Sequence, residues 1–154
     1  MAQYLHIRVD DVDLLLPALQ VHEVLGMGLG PSDRLGDGHA MWRDLVLHSF
    51  DLGHILQRCD APKHRGYGVV YSLDASETPP VLMMIDEVLG LRNPQRHQLH
   101  RLPGIQSISH SLFDAIWIDA KLGHKAYCVK TQLPVHFGAT QADGCNAGPS
   151  ICSE

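Results

Sequence analysis

Leu5, Ile7 and Val9 alternate with Tyr4, His6 and Arg8, the period-two signature of a half-buried strand. Asp10-Asp11 supply turn chemistry and the apolar run Val12 to Leu16 follows, so the chain opens with a predicted β-hairpin. Pro17 suits the first position of a helix, and Ala18, Val21 and Leu25 recur at helical spacing. This predicts one or two helical turns over residues 17 to 25, ended by Gly26. Gly26 to Gly38 contains five glycines and a proline and is predicted as loop.

Strand patterning resumes at Trp42 to Phe50, where Trp42, Val46 and Phe50 share one face with Asp44 and His48, and Leu45 and Leu47 take the other. Asp51 to Leu56 reads as a capped helical turn. Residues 57 to 66 are a polar connector. Tyr67 to Leu73 and Val81 to Ile85 are strand-like, a second loop runs from Asn93 to about Gly104, and Leu112 to Asp119 and Lys125 to Lys130 form two more strands around Leu122-Gly123-His124. From Thr140 periodicity is lost, and residues 140 to 154 are predicted to be a disordered tail. Many short strands punctuated by Gly and Pro predict an all-β barrel or sandwich.

One short word occurs twice, as HEVLG at 22 to 26 and DEVLG at 86 to 90. Each copy follows an apolar run and precedes a loop and further strands, a context that favours an internal repeat, the plainer alternative being a chance echo of four common residues.

Composition narrows the function classes. The net charge is −5 and the basic residues are scattered, which excludes a phosphate-tracking nucleic-acid surface. Apolar runs fall short of a membrane span and the first residues lack a signal-peptide core, so the chain reads as cytoplasmic, without membrane insertion and with four free thiols. Nucleophile-elbow, phosphate-loop and zinc-protease motifs are absent, pointing away from an enzyme. Eleven histidines include an H-x-x-D-x-x-H at His48, Asp51 and His54 and an H-x-x-H at His97 and His100. A metal site needs three or four ligands converging from fixed elements. Spacing alone does not bring them together, and no metal or cofactor is expected.

The run LLLPALQVHEVLG (14 to 26) resembles the opening of a CheW-like domain, where a strand ends in an Ile/Leu-Pro step and continues into Val-x-Glu-Val/Ile. GHAMWRDLVLHSFDL (38 to 52) is similar to that family's Gly-Val-x-Asn-Leu-Arg-Gly stretch and its following Asp-Leu, matching at Gly38, Arg43, Val46, Asp51 and Leu52. VLMMIDEVLGL (81 to 91) resembles its apolar strand followed by Val-Asp-x-Val. The three motifs occur in the family's order and span most of residues 4 to 133. Departures are Met41-Trp42-Arg43-Asp44, which keeps only the arginine of Asn-Leu-Arg-Gly, His48 in place of a proline, and Lys130 or Thr131 where an acidic residue is common.

The resemblance implies two intertwined five-stranded SH3-like β-barrels with short helical segments, occupying residues 1 to 139, with the repeated word at corresponding points of the two barrels. It implies a non-catalytic adaptor of a bacterial chemosensory array that joins a chemoreceptor's cytoplasmic tip to the regulatory domain of a CheA-type histidine kinase. Receptor-contact positions carried over from the family are Val21, Glu23, Gly38, Arg43 and Val88. Trp42 joins them on its own chemistry, an aromatic beside an arginine being the composition of a binding hot spot. Each has a plainer alternative: Val21, Val88 and Trp42 as packing, Arg43 and Glu23 as solvated surface charge. The alternative functions are a degenerate adaptor that binds kinase but not receptor, and a His-based metal or small-ligand barrel.

Overall fold

The computed structural model describes residues 2–26, 39–56, 65–73, 79–102 and 112–130. Within them the chain forms eleven strands: β1 (Tyr4–Val9), β2 (Val12–Pro17), β3 (Val21–Gly26), β4 (His39–Trp42), β5 (Leu45–Asp51), β6 (Tyr67–Tyr71), β7 (Val81–Ile85), β8 (Glu87–Arg92), β9 (Leu99–Arg101), β10 (Phe113–Asp119) and β11 (His124–Val129). One helical turn, α1 (Leu52–Ile55), follows β5, and 3-10 turns occupy Ala18–Gln20 and Arg96–Gln98.

The opening hairpin is present, turning at Asp10-Asp11 with Val9 opposite Val12. The α1 turn begins as predicted, with the Asp51 carboxylate accepting the Gly53 N–H at 2.8 Å. Two expectations are corrected. Residues 17 to 25 are not helical beyond the 3-10 turn, because half-buried Val21, Glu23 and Leu25 alternate with exposed His22 and Val24 in β3 and its backbone pairs with β6. The predicted strand from Trp42 to Phe50 is interrupted by a two-residue turn. Arg43 and Asp44 both take positive φ (47° and 66°), the type I′ arrangement, and Trp42 pairs with Leu45 across it. That turn usually advertises itself with Asn or Gly. In the predicted loop after Asn93, Leu99–Arg101 adds a short strand to β10.

The strands make two curled sheets, in orders β8-β1-β2-β11-β10-β9 and β3-β6-β7-β5-β4. One sheet therefore has a sixth, short strand beyond the five expected. Followed outward from β8 and from β3, the pairings agree step by step: antiparallel, antiparallel, parallel, antiparallel. The hairpin β1–β2 lies in the sheet of the later strands, while β6–β7 completes the sheet of the earlier ones. The two halves thus exchange their first hairpins, and each copy of the repeated word lies in the strand that ends its sheet, HEVLG in β3 and DEVLG at and in β8.

This interlocking explains the continuous apolar runs. Val81, Met83 and Ile85 of β7 join a central cluster with Leu14 and Leu16 of β2 and with Val69 and Tyr71 of β6. The alternate residues face the other way: Leu82, Met84 and Val70 pack with Ala40 and Leu47, and Leu15 packs with Trp117, Ala126 and Cys128. Strands covered on both faces lose the hydrophobic-polar alternation.

Arg65, placed by its neighbours in a polar connector, is buried (2% exposed). Its Nη1 donates to Asp10 Oδ1 at 2.8 Å and Asp86 Oδ2 at 2.9 Å, and its Nε to Asp51 Oδ1 at 3.1 Å. Asp86 also accepts the Asp10 N–H at 2.6 Å. The guanidinium joins the β1–β2 turn, the end of β5 and the β7–β8 junction, linking elements of both sheets. Gly53 is obligatory here, since a Cβ on it would collide with the Arg65 guanidinium and come within 2.6 Å of Asp10 Oδ2.

Candidate functional site

The tight β4–β5 turn throws Arg43 outward at the end of the five-stranded sheet and leaves Trp42 half-buried, one part of it packed against the cluster of Ala40, Leu47, Val70, Leu82 and Met84. Glu23 reaches them from β3, the strand at the opposite end of the same sheet. Its Oε1 accepts both the Trp42 Nε1–H at 2.9 Å and an Arg43 Nη2–H at 3.2 Å. The Arg43 guanidinium lies 4.8 Å from the centre of the Trp42 ring, a cation–π distance. His22 packs its ring 5.9 Å from Trp42 and shares a 2.6 Å hydrogen bond with the Ser72 hydroxyl. The clasp bridges the sheet's two end strands by side chains.

Three of the expected contact residues, Glu23, Trp42 and Arg43, therefore converge. The Arg43 side chain is 70% exposed and Glu23 38%, so their ion pair is solvated and contributes little to stability. Its chemical offer is a largely open guanidinium backed by an aromatic plane, suited to carboxylate or amide oxygens on a partner. Beside it Met41 and Val46 face each other across the hairpin and, with Leu45, leave apolar surface exposed.

The other expected residues lie elsewhere. Val21 is two residues from Glu23, but a bulge falls between them and it packs against the central cluster. Val88 is on β8 in the other sheet, opposite Ile7, and also packs against that cluster. Gly38 lies outside the described residues, as does the tail from 140.

Among the described residues, those of the two histidine spacings are not gathered into one ligand group. Asp51 is committed to Arg65 and the Gly53 amide, while His48 is an exposed residue of β5. His97 sits in a 3-10 turn and His100 on β9. The structure instead gathers His6, Asp13 and His124, with donor atoms within 4.8 Å of one another. Sequence reasoning missed this group, which comes from three strands. The one signal was His6 alternating with the core residues of β1.

Fold and site together define a predominantly β module of two interlocked, curled sheets with a polar-aromatic clasp on its surface. No family model matches the chain, and no curated protein matches it. Among solved structures, it resembles the scaffolding protein TtCheW from Thermoanaerobacter tengcongensis, with a TM-score of 0.64 over 85% of this chain and 90% of that one. Sequence identity is 11%, so the likeness is one of fold: the chain has the CheW-like fold. No helix among the described residues is long and apolar enough to cross a membrane.

Proposed function

We propose that this protein is a non-catalytic scaffold of a bacterial chemosensory array, working in the cytoplasm, which holds a chemoreceptor's cytoplasmic tip beside a CheA-type histidine kinase. The observation that carries the reading is the convergence of Glu23 and Arg43, far apart in sequence, on one exposed ledge of a fold shared with a scaffolding protein. Arg43, Trp42 and Glu23 would meet the receptor helices. Val21 and Val88 would act by shaping the barrel beneath. The apolar hairpin ends, Met41, Leu45 and Val46 in one sheet and Ile118 and Leu122 in the other, offer surfaces for the kinase's homologous regulatory domain. Such a module couples its partners by fixed geometry and raised effective concentration, without bond chemistry.

Calorimetric titration against a kinase regulatory domain and a receptor-tip fragment from the same genome tests this. Binding to both is expected, with Arg43→Ala weakening the receptor arm alone. A second reading, an adaptor that binds kinase but not receptor, is favoured by Glu23 being already engaged by Trp42 and Arg43, so that a receptor must compete for them. Binding to the kinase alone would select it, and binding to neither would reject both.

A further inference from the structure

The six-stranded sheet holds a polar knot. His6 of β1 is fully buried (0% exposed), and both ring nitrogens are engaged: Nε2 lies 2.8 Å from Asp13 Oδ2 on β2, and Nδ1 lies 3.1 Å from Nε of Arg92 on β8. A guanidinium only donates, so Nδ1 must present its lone pair, and Nε2 carries the hydrogen that Asp13 accepts. Asp13 also accepts Arg8 Nε at 2.6 Å and Nη2 at 3.2 Å. From β10 and β11, Trp117 meets the His6 ring edge-on at 5.6 Å and His124 does so at 5.3 Å, while those two rings stack on each other.

His6, Asp13 and His124 are the right residue types for a cation. The arrangement opposes one. Nε2 has no lone pair to give, and both Asp13 oxygens already accept from Arg8 and His6.

We propose that the knot is a pH-sensitive tie between β1 and the edge strand β8: a proton added at His6 Nδ1 confronts the Arg92 N–H, breaks that bond and releases the end of β8. The ladder is already weak at this point. Pairing jumps from His6 opposite Gly90 to Ile7 opposite Val88, skipping Leu89, and Gly90 takes a φ of 124°. Without His6, the Arg92 guanidinium keeps, among the described residues, only the carbonyls of its own strand, Leu89 at 3.3 Å and Leu91 at 3.4 Å.

The surrounding charges fix the direction of the response. Burial is the largest effect and lowers the imidazole below its ordinary 6.5, and Arg92 and His124 push the same way. Asp13 pulls upward, with its charge shared by Arg8. His6 is therefore neutral and the tie intact at neutral pH. The unfolded chain takes the proton first on acidification, so this contribution to stability is lost as pH falls below 6.5.

Ring-nitrogen NMR on the whole protein between pH 7.5 and 5, with amide hydrogen exchange of residues 90 to 92, tests the tie. Expected are the Nε2–H tautomer at neutral pH, a His6 midpoint below 6.5, and at least tenfold loss of protection in residues 90 to 92 tracking that midpoint. Exchange in β6 and β7 should stay flat once corrected for intrinsic rates. Arg92→Leu should raise the His6 midpoint, and His6→Gln should make exchange at 90 to 92 independent of pH. If His6→Gln does not fold, the wild-type tautomer and the Arg92→Leu midpoint still decide. An Nδ1–H tautomer, or His6 titration that leaves residues 90 to 92 unchanged, would overturn the proposal.

Discussion

Arg65 and Asp51 meet at the boundary between the two sheets, where the guanidinium Nη2 lies 3.0 Å from Asp51 Oδ1 and both side chains are almost fully buried. Asp10 and Asp86 complete the arrangement, so one buried cation serves three carboxylates. Such a group is stable only as a whole.

Removing the cation should be costly. Arg65→Met is expected to destabilise by about 3 kcal/mol or more, because it leaves the buried Asp51 carboxylate and the partly buried Asp10 and Asp86 without their shared partner. Arg65→Lys should recover little of the loss, since an ammonium cannot reproduce a planar fork that reaches three acids. Urea denaturation measures both. A cost below about 1 kcal/mol would show that the cluster does not join the sheets.

The β4–β5 turn is a place where stability can be gained. Asp44 holds a φ of 66°, a conformation that disfavours side chains and suits glycine. Asp44→Gly should stabilise by up to about 1 kcal/mol, after allowing for the greater freedom of glycine in the unfolded chain. The same variant leaves the Glu23–Trp42–Arg43 contacts in place, so partner binding should hold while the thermal midpoint rises.

Tyr71 is wholly buried in the central cluster, and its hydroxyl has no hydrogen-bond partner among the described residues. Burial raises its pKa well above the ordinary 10.0. Tyr71→Phe removes that unsatisfied group while keeping the ring, and should leave stability unchanged or raise it by about 1 kcal/mol. A clear loss in the denaturation midpoint would contradict this.

Cys128 makes a prediction at alkaline pH. Burial, with Asp114 adding to it, pushes its thiol up to about 12 from 9.0. The native protein should resist alkylation at Cys128 at pH 8.5, whereas the urea-unfolded chain reacts, as peptide mapping would show. Because the folded value is the higher one, the contribution is full below pH 9 and is lost as pH rises towards 12. A Cys128→Ala variant should lose this part of the alkaline fall in stability.

Much of the fold is legible along the chain because it is local. Leu5, Ile7 and Val9 take one face by simple alternation, and Asp10-Asp11 provide a turn between two apolar runs. Asp51 caps α1 with its own side chain. The echo of HEVLG in DEVLG also survives folding, as two strands ending two sheets of matching order.

What the sequence by itself determined, then, is the all-β character, most strand positions and the candidacy of Glu23, Trp42 and Arg43, all of which depend on neighbours a few residues apart or on a motif. Tertiary structure alone decided three further matters. It made Val21–Gly26 a strand, since pairing with β6 supplies hydrogen bonds that outweigh a helical spacing. It gathered Arg65 with Asp10, Asp51 and Asp86, and His6 with Asp13, Arg92 and His124, across separations in sequence of up to 118 residues, His6 to His124. It also divided the expected contact residues, bringing Glu23, Trp42 and Arg43 together in the surface clasp, with Trp42 resting on the core cluster beneath, while Val21 and Val88 pack against the central cluster. The reason is the exchange of hairpins between the two halves: each strand's neighbours come from the far end of the chain, and no local pattern of hydrophobic and polar residues records which far end that is.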